Sequence, residues 1–246
     1  MPVYPVKSAE RVIQILELFR AVRQPLRLNT IASDLDWPIP STVALLKTLV
    51  GMGYLIFSTK ERTYFPSPHL ASLGNWVEPA FFEDSHAMEI AERLCEQTTE
   101  HVVLSVHSGL HVQHVKVLHG IDDARYGTRD GSMRLVVRTS PGLVLLGAMP
   151  MQAVDRICRQ INIKYRNKTE RIDPDQFSKT IASVKRQGFS SLYGVPHIEG
   201  AMLSMLLPPT RSGQRIAVSV GGRKERIKQN RDRLLQTMAD VIAAAV

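Results

Sequence analysis

Cysteine is scarce in this chain, and the two present, Cys95 and Cys158, lie far apart with no CxxC motif. That usage argues against a disulfide framework and suits a reducing cytosol. Long apolar runs are also missing, since the longest, Leu143 to Met149, falls far short of the ~20 residues that a membrane span requires. We therefore expect a cytoplasmic protein that does not bind a membrane.

A signal peptide is not evident at the N-terminus, because charged residues interrupt the apolar stretch after Lys7. The composition, 44% hydrophobic and 22% charged, is that of a globular protein without a bias towards disorder. The length of 246 residues suffices for one large domain or two of ordinary size.

The formal net charge is +8, which is compatible with a nucleic-acid partner but does not locate the binding site. Residues 1–75 hold eight basic and five acidic side chains, a net +3, so most of the excess lies in the rest of the chain. The position of any nucleic-acid site has to come from the residue pattern instead.

Three short helices are predicted at the N-terminus from apolar spacing and proline positions. The first runs from Ser8, its N-cap, to about Arg23; the second covers about 29–35 and the third about 40–50. Pro40 suits the first turn of the third helix, because its missing N–H would be unpaired there anyway. Two short strands, 54–57 and 63–65, follow as a hairpin.

Three helices and a hairpin with basic residues are typical of a winged helix-turn-helix, which reads DNA with its third helix in the major groove. The apolar spacing of Thr42, Leu45, Leu46 and Leu49 turns the opposite side of that helix outward. Hairpin residues Lys60 and Arg62 can reach neighbouring phosphates. The alternative is a small helical subdomain that serves dimerisation or protein contact.

Several segments of this region resemble the isocitrate-lyase-regulator (IclR) family in order and spacing. They are Val6-Lys7-Ser8-Ala9-Glu10-Arg11, Leu16-Glu17-Leu18-Phe19, Pro25-Leu26-Arg27-Leu28, Ile31-Ala32, Ser41-Thr42, Leu45-Leu46-Lys47-Thr48-Leu49, Gly53-Tyr54-Leu55 and Leu73-Gly74. The predicted DNA-contacting residues are Arg27, Pro40, Ser41, Val43, Ala44, Lys47, Lys60 and Arg62. The chain departs from the family at Val43 and Ala44, where polar and basic residues are frequent, and at Arg27, where a hydroxyl residue usually caps the second helix.

The expected fold class is α+β, with a winged helix-turn-helix domain at 1–66, a linker helix at 67–82 and an effector and oligomerisation domain at 83–246. Alternating helices and strands in the last segment predict an antiparallel sheet flanked by helices, and the family resemblance implies a GAF-like fold. Trp76, Phe81 and Phe82 in the linker indicate a dimer contact, or else packing on the second domain.

The resemblance also implies a small-molecule pocket between the sheet and a loop that leads into a helix near Ser140. The predicted effector-binding residues are Leu135, Val136, Val137, Arg138, Thr139, Gly142, Leu203 and Ser219. Arg138, Thr139 and the first N–H groups of the helix favour a carboxylate, and the apolar residues favour an aromatic or otherwise bulky acid. The alternative is that Arg138 is a surface residue and that the pocket has no physiological ligand.

Five histidines fall on one predicted hairpin: His101, His107, His111, His114 and His119. Alternation places His101 with His107 on one face, and His111 with His119 on one face of the partner strand. No cysteine or carboxylate completes a metal-ligand set, so we expect solvated or interface histidines rather than a zinc site. Glu199 beside His197, and Asp122 and Asp123 near Asp130, lack a supporting catalytic motif.

The sequence therefore predicts a transcription regulator, a repressor by family resemblance, and not an enzyme. Its expected partners are a near-palindromic double-stranded operator, a small organic effector and a second copy of itself, as a homodimer or a dimer of dimers. No cofactor is expected. The rival hypothesis is a metal- or metabolite-handling enzyme whose N-terminal module serves only for assembly.

Overall fold

The computed structural model describes residues 6–83, 85–121, 128–165, 171–195, 197–211 and 213–245. The chain divides into two compact units, with the boundary between Phe81 and Phe82. Within the described ranges no helix combines the length and the apolarity needed to cross a bilayer.

The first unit is a winged helix. Its elements are α1 (Lys7–Val22), β1 (Leu26–Arg27), α2 (Leu28–Asp34), α3 (Ile39–Gly51), β2 (Leu55–Ser58), β3 (Thr63–Pro66), α4 (Pro68–Ser72) and α5 (Val77–Phe82). The strands form an antiparallel sheet in the order β1-β3-β2. The core consists of apolar side chains from all three long helices and the sheet, among them Ile15, Ile31 and Leu46, each with 0% exposure.

Three local predictions in this unit need correction. Ser8 lies inside α1 and is not its N-cap; Val6 holds that position, and no side chain caps it. The predicted single linker helix is two short helices, α4 and α5, since Gly74 and Asn75 between them are poor residues for a helix interior. The two-residue strand β1 was not predicted, because a strand that short has no detectable alternation.

The second unit contains six strands and six α-helices in the described ranges. They are α6 (Ala87–Thr98), β4 (His101–Ser108), β5 (His111–Leu118), β6 (Met133–Leu135), α7 (Ser140–Gly147), α8 (Met151–Lys164), α9 (Pro174–Gln187), β7 (Phe189–Tyr193), β8 (Gly200–Leu206), β9 (Ile216–Arg223), α10 (Lys224–Gln229) and α11 (Arg231–Ala243). The strands form one antiparallel sheet in the order β6-β5-β4-β9-β8-β7. This confirms the α+β class predicted from the sequence.

The sheet is covered by helices on two sides. Helices α6 and α11 contact each other, and α6 packs on β4 and β9. Helix α7 packs on the sheet as well, and all of its residues are buried. An apolar cluster joins α7, α8 and α9 to sheet residues such as Val112 and Ala217. A 3-10 turn, Val136–Arg138, leads from β6 into α7.

Capping residues set the helix boundaries in this unit. The Asp173 carboxylate accepts the backbone N–H groups of Asp175 and Gln176, at 2.9 and 3.2 Å, and so begins α9. Gly188 ends that helix at φ +79°, a conformation that favours glycine. Thr139 caps α7 by accepting the Gly142 N–H at 3.1 Å.

Candidate functional site

Helix α3 presents a surface with the shape expected of a DNA-reading helix. Thr42, Leu46 and Leu49 anchor it in the core with exposures of 0–3%. Pro40 lies in its first turn, where no backbone N–H partner is lost. The other side of the helix carries Ala44 and Lys47, both exposed.

The remaining predicted DNA-contacting residues also lie on the surface of the first unit. Ser41 and Val43 are half-buried on α3, and the Ser41 hydroxyl donates to the carbonyl of Pro38 at 2.9 Å. Lys60 and Arg62 are exposed in the turn between β2 and β3, with Arg62 at φ +53°. Because Arg27 in β1 pairs with Thr63 in β3, this exposed arginine lies beside the turn that carries Arg62.

Two features of this surface were missed at the sequence level. Ile39, the first residue of α3, is 48% exposed and lies one helical turn before Val43, so the two form an apolar pair suited to a thymine methyl group. Its signal in the sequence was an apolar residue outside the core spacing. Trp37 lies between α2 and α3, and the Arg11 guanidinium stacks 5.0 Å above its ring.

In the second unit, a cleft that is partly open to solvent lies beside one face of the sheet. Its polar lining consists of four histidines, one arginine and three residues with hydroxyl groups. They are His101, His114, His119, His197, Arg134, Thr128, Thr139 and Ser140. The apolar lining includes Val103, Val117, Val195 and Met202, and the backbones of Gly221 and Gly222 complete it.

Of the eight residues predicted to bind an effector, only Thr139 lines this cleft. Val136 and Val137 are buried in the apolar cluster around α7, which Leu135 joins at its edge, and Gly142 is buried within α7. Arg138 is exposed and lies outside the cleft lining. The structure therefore does not bring the predicted set together.

The two predicted residues from the sheet are separated from the cleft for different reasons. Leu203 pairs with Val220, one position along from the pair Met202–Gly221 that lines the cleft, so its side chain faces the other side of the sheet. Ser219 shares the cleft face but is 0% exposed, and its hydroxyl is within 2.8 Å of the Ser204 hydroxyl.

The start of α7 is a weaker anion site than the sequence analysis assumed. Pro141 has no backbone N–H, and the N–H of Gly142 is donated to the Thr139 hydroxyl at 3.1 Å. Two of the first three helix positions therefore have no donor for a ligand. This removes most of the reason for placing a carboxylate there.

Arg134 is the basic residue that does line the cleft, and it was not among the predicted effector-binding residues. It is the middle residue of β6, a three-residue edge strand, and it pairs with Val112. Val112 belongs to the apolar cluster on the α7 side of the sheet, so the pair faces that side. A strand of three residues has too short an alternation to orient its side chains from sequence alone.

A β-bulge determines which histidines reach the cleft. Leu104 pairs with Lys116, but the next residue, Ser105, pairs with His114, so β5 contains one extra residue. His114 and His119 therefore line the same cleft although they are five positions apart, an odd spacing that would put them on opposite faces of a regular strand. His101 and His107 share a face as predicted, whereas the prediction that His111 and His119 share one is wrong, because the bulge reverses the alternation between them.

His114 is a buried neutral imidazole. It is 4% exposed, and its Nδ1 lies 2.9 Å from the hydroxyl of Ser105. Burial, and secondarily the charge of Arg134, lower the pKa of His114 to about 4. At neutral pH the cleft thus contains a fixed cation, Arg134, beside an uncharged hydrogen-bonding ring.

We expect His114 to make the protein less stable in acid. The unfolded chain binds this proton near the ordinary pKa of 6.5 and the folded chain only near 4, so the free energy of unfolding falls as the pH drops through that window. The full loss is about 3 kcal/mol, from 1.36 kcal/mol per pKa unit.

The measurement is urea unfolding between pH 7.5 and pH 4.5 for the wild-type protein and for His114→Asn, in which an amide replaces Nδ1. All other acid-sensitive groups are common to both proteins, so the difference between the two pH profiles isolates His114. Parallel profiles would contradict the assignment.

The described residues contain no group of three side chains suited to a metal ion. Among the carboxylates weighed as catalytic, Asp130 accepts the Val117 N–H at 2.7 Å and thereby supports β5. Glu199 is exposed. Asp122 and Asp123 lie outside the described residues.

Comparison with known families matches both units. The model of the IclR helix-turn-helix domain matches residues 8–56, and that of the bacterial transcriptional regulator IclR C-terminal domain matches residues 85–246. The chain belongs to the IclR family. The family combines a DNA-binding helix-turn-helix with a ligand-binding C-terminal domain, so this IclR chain is a transcriptional regulator by membership.

Solved structures agree with this IclR fold. The Thermotoga maritima IclR is 15% identical with a TM-score of 0.74, covering 97% of this chain and 98% of that one. An IclR homolog from Microbacterium hydrocarbonoxydans, complexed with 4-hydroxybenzoate, is 17% identical with a TM-score of 0.71, covering 96% and 98%. The IclR effector domain from Acinetobacter sp. ADP1 is 25% identical with a TM-score of 0.62, covering 68% and 97%. The comparison with curated proteins gave no match.

Proposed function

We propose that the protein is a repressor that binds a near-palindromic operator as a homodimer or a dimer of dimers, and that an organic acid bound in the histidine-lined cleft controls it. The observation that supports the effector class best is the placement of Arg134 in the lining of this cleft, beside neutral His114. A guanidinium holds a carboxylate through paired hydrogen bonds.

The proposed reading surface consists of the outward side of α3 and the turn of the hairpin. Lys47 is the only basic residue of α3, so it supplies the one charged contact to a base edge, while Ile39, Val43 and Ala44 offer apolar contacts. Arg27, Lys60 and Arg62 hold phosphates and contribute affinity without sequence preference. With so few charges per copy, tight binding requires two reading heads on one operator.

We expect Lys47→Ala to lower operator affinity by roughly ten-fold or more per half-site, while binding to unrelated DNA changes little, because a good base contact contributes about 1–3 kcal/mol of discrimination. Arg62→Ala should lower both affinities alike and reduce the salt dependence by about one phosphate contact. Fluorescence anisotropy with the DNA upstream of its own gene and with a scrambled duplex, at two salt concentrations, measures both effects.

Lys228→Ala is the matched control, since Lys228 is an exposed lysine on α10 of the second unit. It should leave both affinities unchanged. An unaltered preference for the operator in Lys47→Ala would rule out the proposed orientation of α3.

The effector class is tested with 4-hydroxybenzoate, the compound bound by the Microbacterium relative, and with benzoate. We expect Arg134→Gln to weaken acid binding by roughly 10- to 100-fold in calorimetry, the loss of a charge-assisted pair. Arg138→Gln, a change to an exposed arginine four residues away that does not line the cleft, should bind as the wild type does. The reverse result would place the acid where the sequence analysis had it.

A further inference from the structure

His101 is the feature of the cleft that the proposed function leaves unused. It is the first residue of β4, it lines the cleft and it is 6% exposed. Its Nε2 atom is buried and has no hydrogen-bond partner within the described part of the chain. A buried polar group without a partner costs about 1–3 kcal/mol, so such a group needs a physical explanation.

The tautomer of His101 follows from its other ring nitrogen. Nδ1 accepts the backbone N–H of Gly120 at 3.1 Å, and a neutral imidazole that accepts there carries its proton on Nε2. Gly120 is held closely, because a Cβ atom at that position would lie 2.2 Å from the Thr99 carbonyl oxygen. His101 therefore presents an N–H donor at Nε2.

The neighbours of His101 in the described ranges do not accept this proton. Its ring meets that of His119 edge to face, with centroids 5.5 Å apart and an interplanar angle of 84°. The adjacent carboxylate, Glu100, is bound by Arg226 through a pair of hydrogen bonds. Directly opposite on β9 is Gly221, which has no side chain to offer.

We propose that the Nε2–H of His101 donates a hydrogen bond to a second oxygen of the effector, so that the ligand is an elongated organic acid with a hydroxyl or carbonyl group at the end opposite its carboxylate. This inference rests on the proposed function, in which an acid binds beside Arg134. His101 is a specificity-determining residue in this arrangement, and Arg134 supplies the charge.

The strand register gives a scale for the ligand. Ser105, whose hydroxyl contacts His114, lies four residues along β4 from His101, so the Cα atoms of His101 and Ser105 are about 13 Å apart. This scale favours an aromatic or long-chain acid with an oxygen at its far end over an acid of two or three carbons.

Calorimetry at pH 7.5 with 4-hydroxycinnamate and cinnamate tests the proposal, since the two acids differ only in the distal hydroxyl. We expect the wild-type protein to bind the hydroxylated acid roughly ten-fold more tightly, because that acid satisfies the buried donor. His101→Phe should reduce this ratio to about one. His101→Gln, which retains an N–H near the same position, should keep part of it.

A second pair of variants acts on the same donor without touching the ring. Gly221→Ser places a hydroxyl opposite His101 and should lower the ratio by giving Nε2–H an internal acceptor. Gly221→Ala adds the same Cβ, 3.1 Å from the flexible Met202 Cε and 3.2 Å from the Ala201 carbonyl oxygen, and is therefore the reference against which the ratio of Gly221→Ser is compared. This pair decides the question if His101→Phe does not fold.

An equal affinity for both acids in the wild type, or an unchanged ratio in His101→Phe, would overturn the proposal. Arg134→Gln could weaken the binding of both acids alike while His101→Phe keeps the wild-type ratio of the two affinities. That result would support the acid site at Arg134 and overturn the role of His101. Binding of neither acid would overturn the ligand class together with this inference. Operator binding, measured separately, still decides whether the protein is a DNA-binding regulator.

Discussion

Arg226→Met is expected to lower the free energy of unfolding of the second unit by about 3 kcal/mol. Glu100 is 4% exposed, and Arg226 Nη2 lies 2.6 Å from its Oε2, with a second bond from Nε to Oε1. Removal of the guanidinium leaves a buried carboxylate without its cation. The estimate is at the lower end of the usual range because the Arg226 side chain is 37% exposed, so water can reach part of the gap.

The control is the double variant Glu100→Met/Arg226→Met, which removes both charges and should recover most of the lost stability. Urea unfolding followed by far-UV circular dichroism measures the change. Both tryptophans, Trp37 and Trp76, lie in the first unit, so their fluorescence serves as an internal reference. A single variant as stable as the wild type would mean that the Glu100 carboxylate is solvated in its absence.

The ion pair also bears on the cleft. Glu100 directly precedes His101, and Gly222 lies so close to the pair that a Cβ there would be 2.2 Å from Glu100 Oε2. The Glu100–Arg226 contact thus joins the start of β4 to α10 at the point where β9 passes. We expect Arg226→Met to weaken ligand selectivity as well as stability, because the position of His101 depends on this strand end.

The winged-helix fold could be predicted because its signals are local. The apolar residues of α1, α2 and α3 recur at a helical spacing of about 3.6 residues, and Pro40 marks the start of α3. These signals predicted the ends of the three helices to within about two residues. The antiparallel sheet of the second unit followed from the alternation in β4, β5, β8 and β9. The strands β1, β6 and β7 were not predicted; β1 and β6 have only two and three residues, too few to show an alternation.

The cleft could not be predicted, because it depends on register and not on spacing. The bulge opposite Leu104 and Ser105 brings His114 to the same face as His119. The residue types in β5 do not indicate that the strand contains an extra residue there. Arg134 reaches the cleft only through the pairing of β6 with β5. Arg138 was predicted instead because the start of α7 was expected to have free N–H groups, and Pro141 and the Thr139 cap remove two of them.

Gly142 is the residue on which that cap depends, and Gly142→Ala is expected to destabilise the second unit by more than about 3 kcal/mol. A Cβ at this position would lie 1.9 Å from the Val136 carbonyl oxygen and 2.7 Å from the Thr139 Oγ1 atom. The nearest obstacle is backbone, so no change of rotamer relieves it. The 3-10 turn and α7 have to separate, which moves Thr139 at the edge of the cleft.

Gly147→Ala in the same buried helix provides the matched control. Its nearest neighbours would be 3.6 Å from the new Cβ, an ordinary contact, and alanine favours a helix over glycine by about 0.5–1 kcal/mol. This variant should therefore be as stable as the wild type or more stable in thermal unfolding, whereas Gly142→Ala should lose acid binding and melting temperature together. Equal melting temperatures and equal acid affinities in the two variants would contradict this prediction. They would mean that the 3-10 turn before α7 can move to accommodate the Cβ atom, so that the close packing of Gly142 on Val136 does not determine this edge of the cleft.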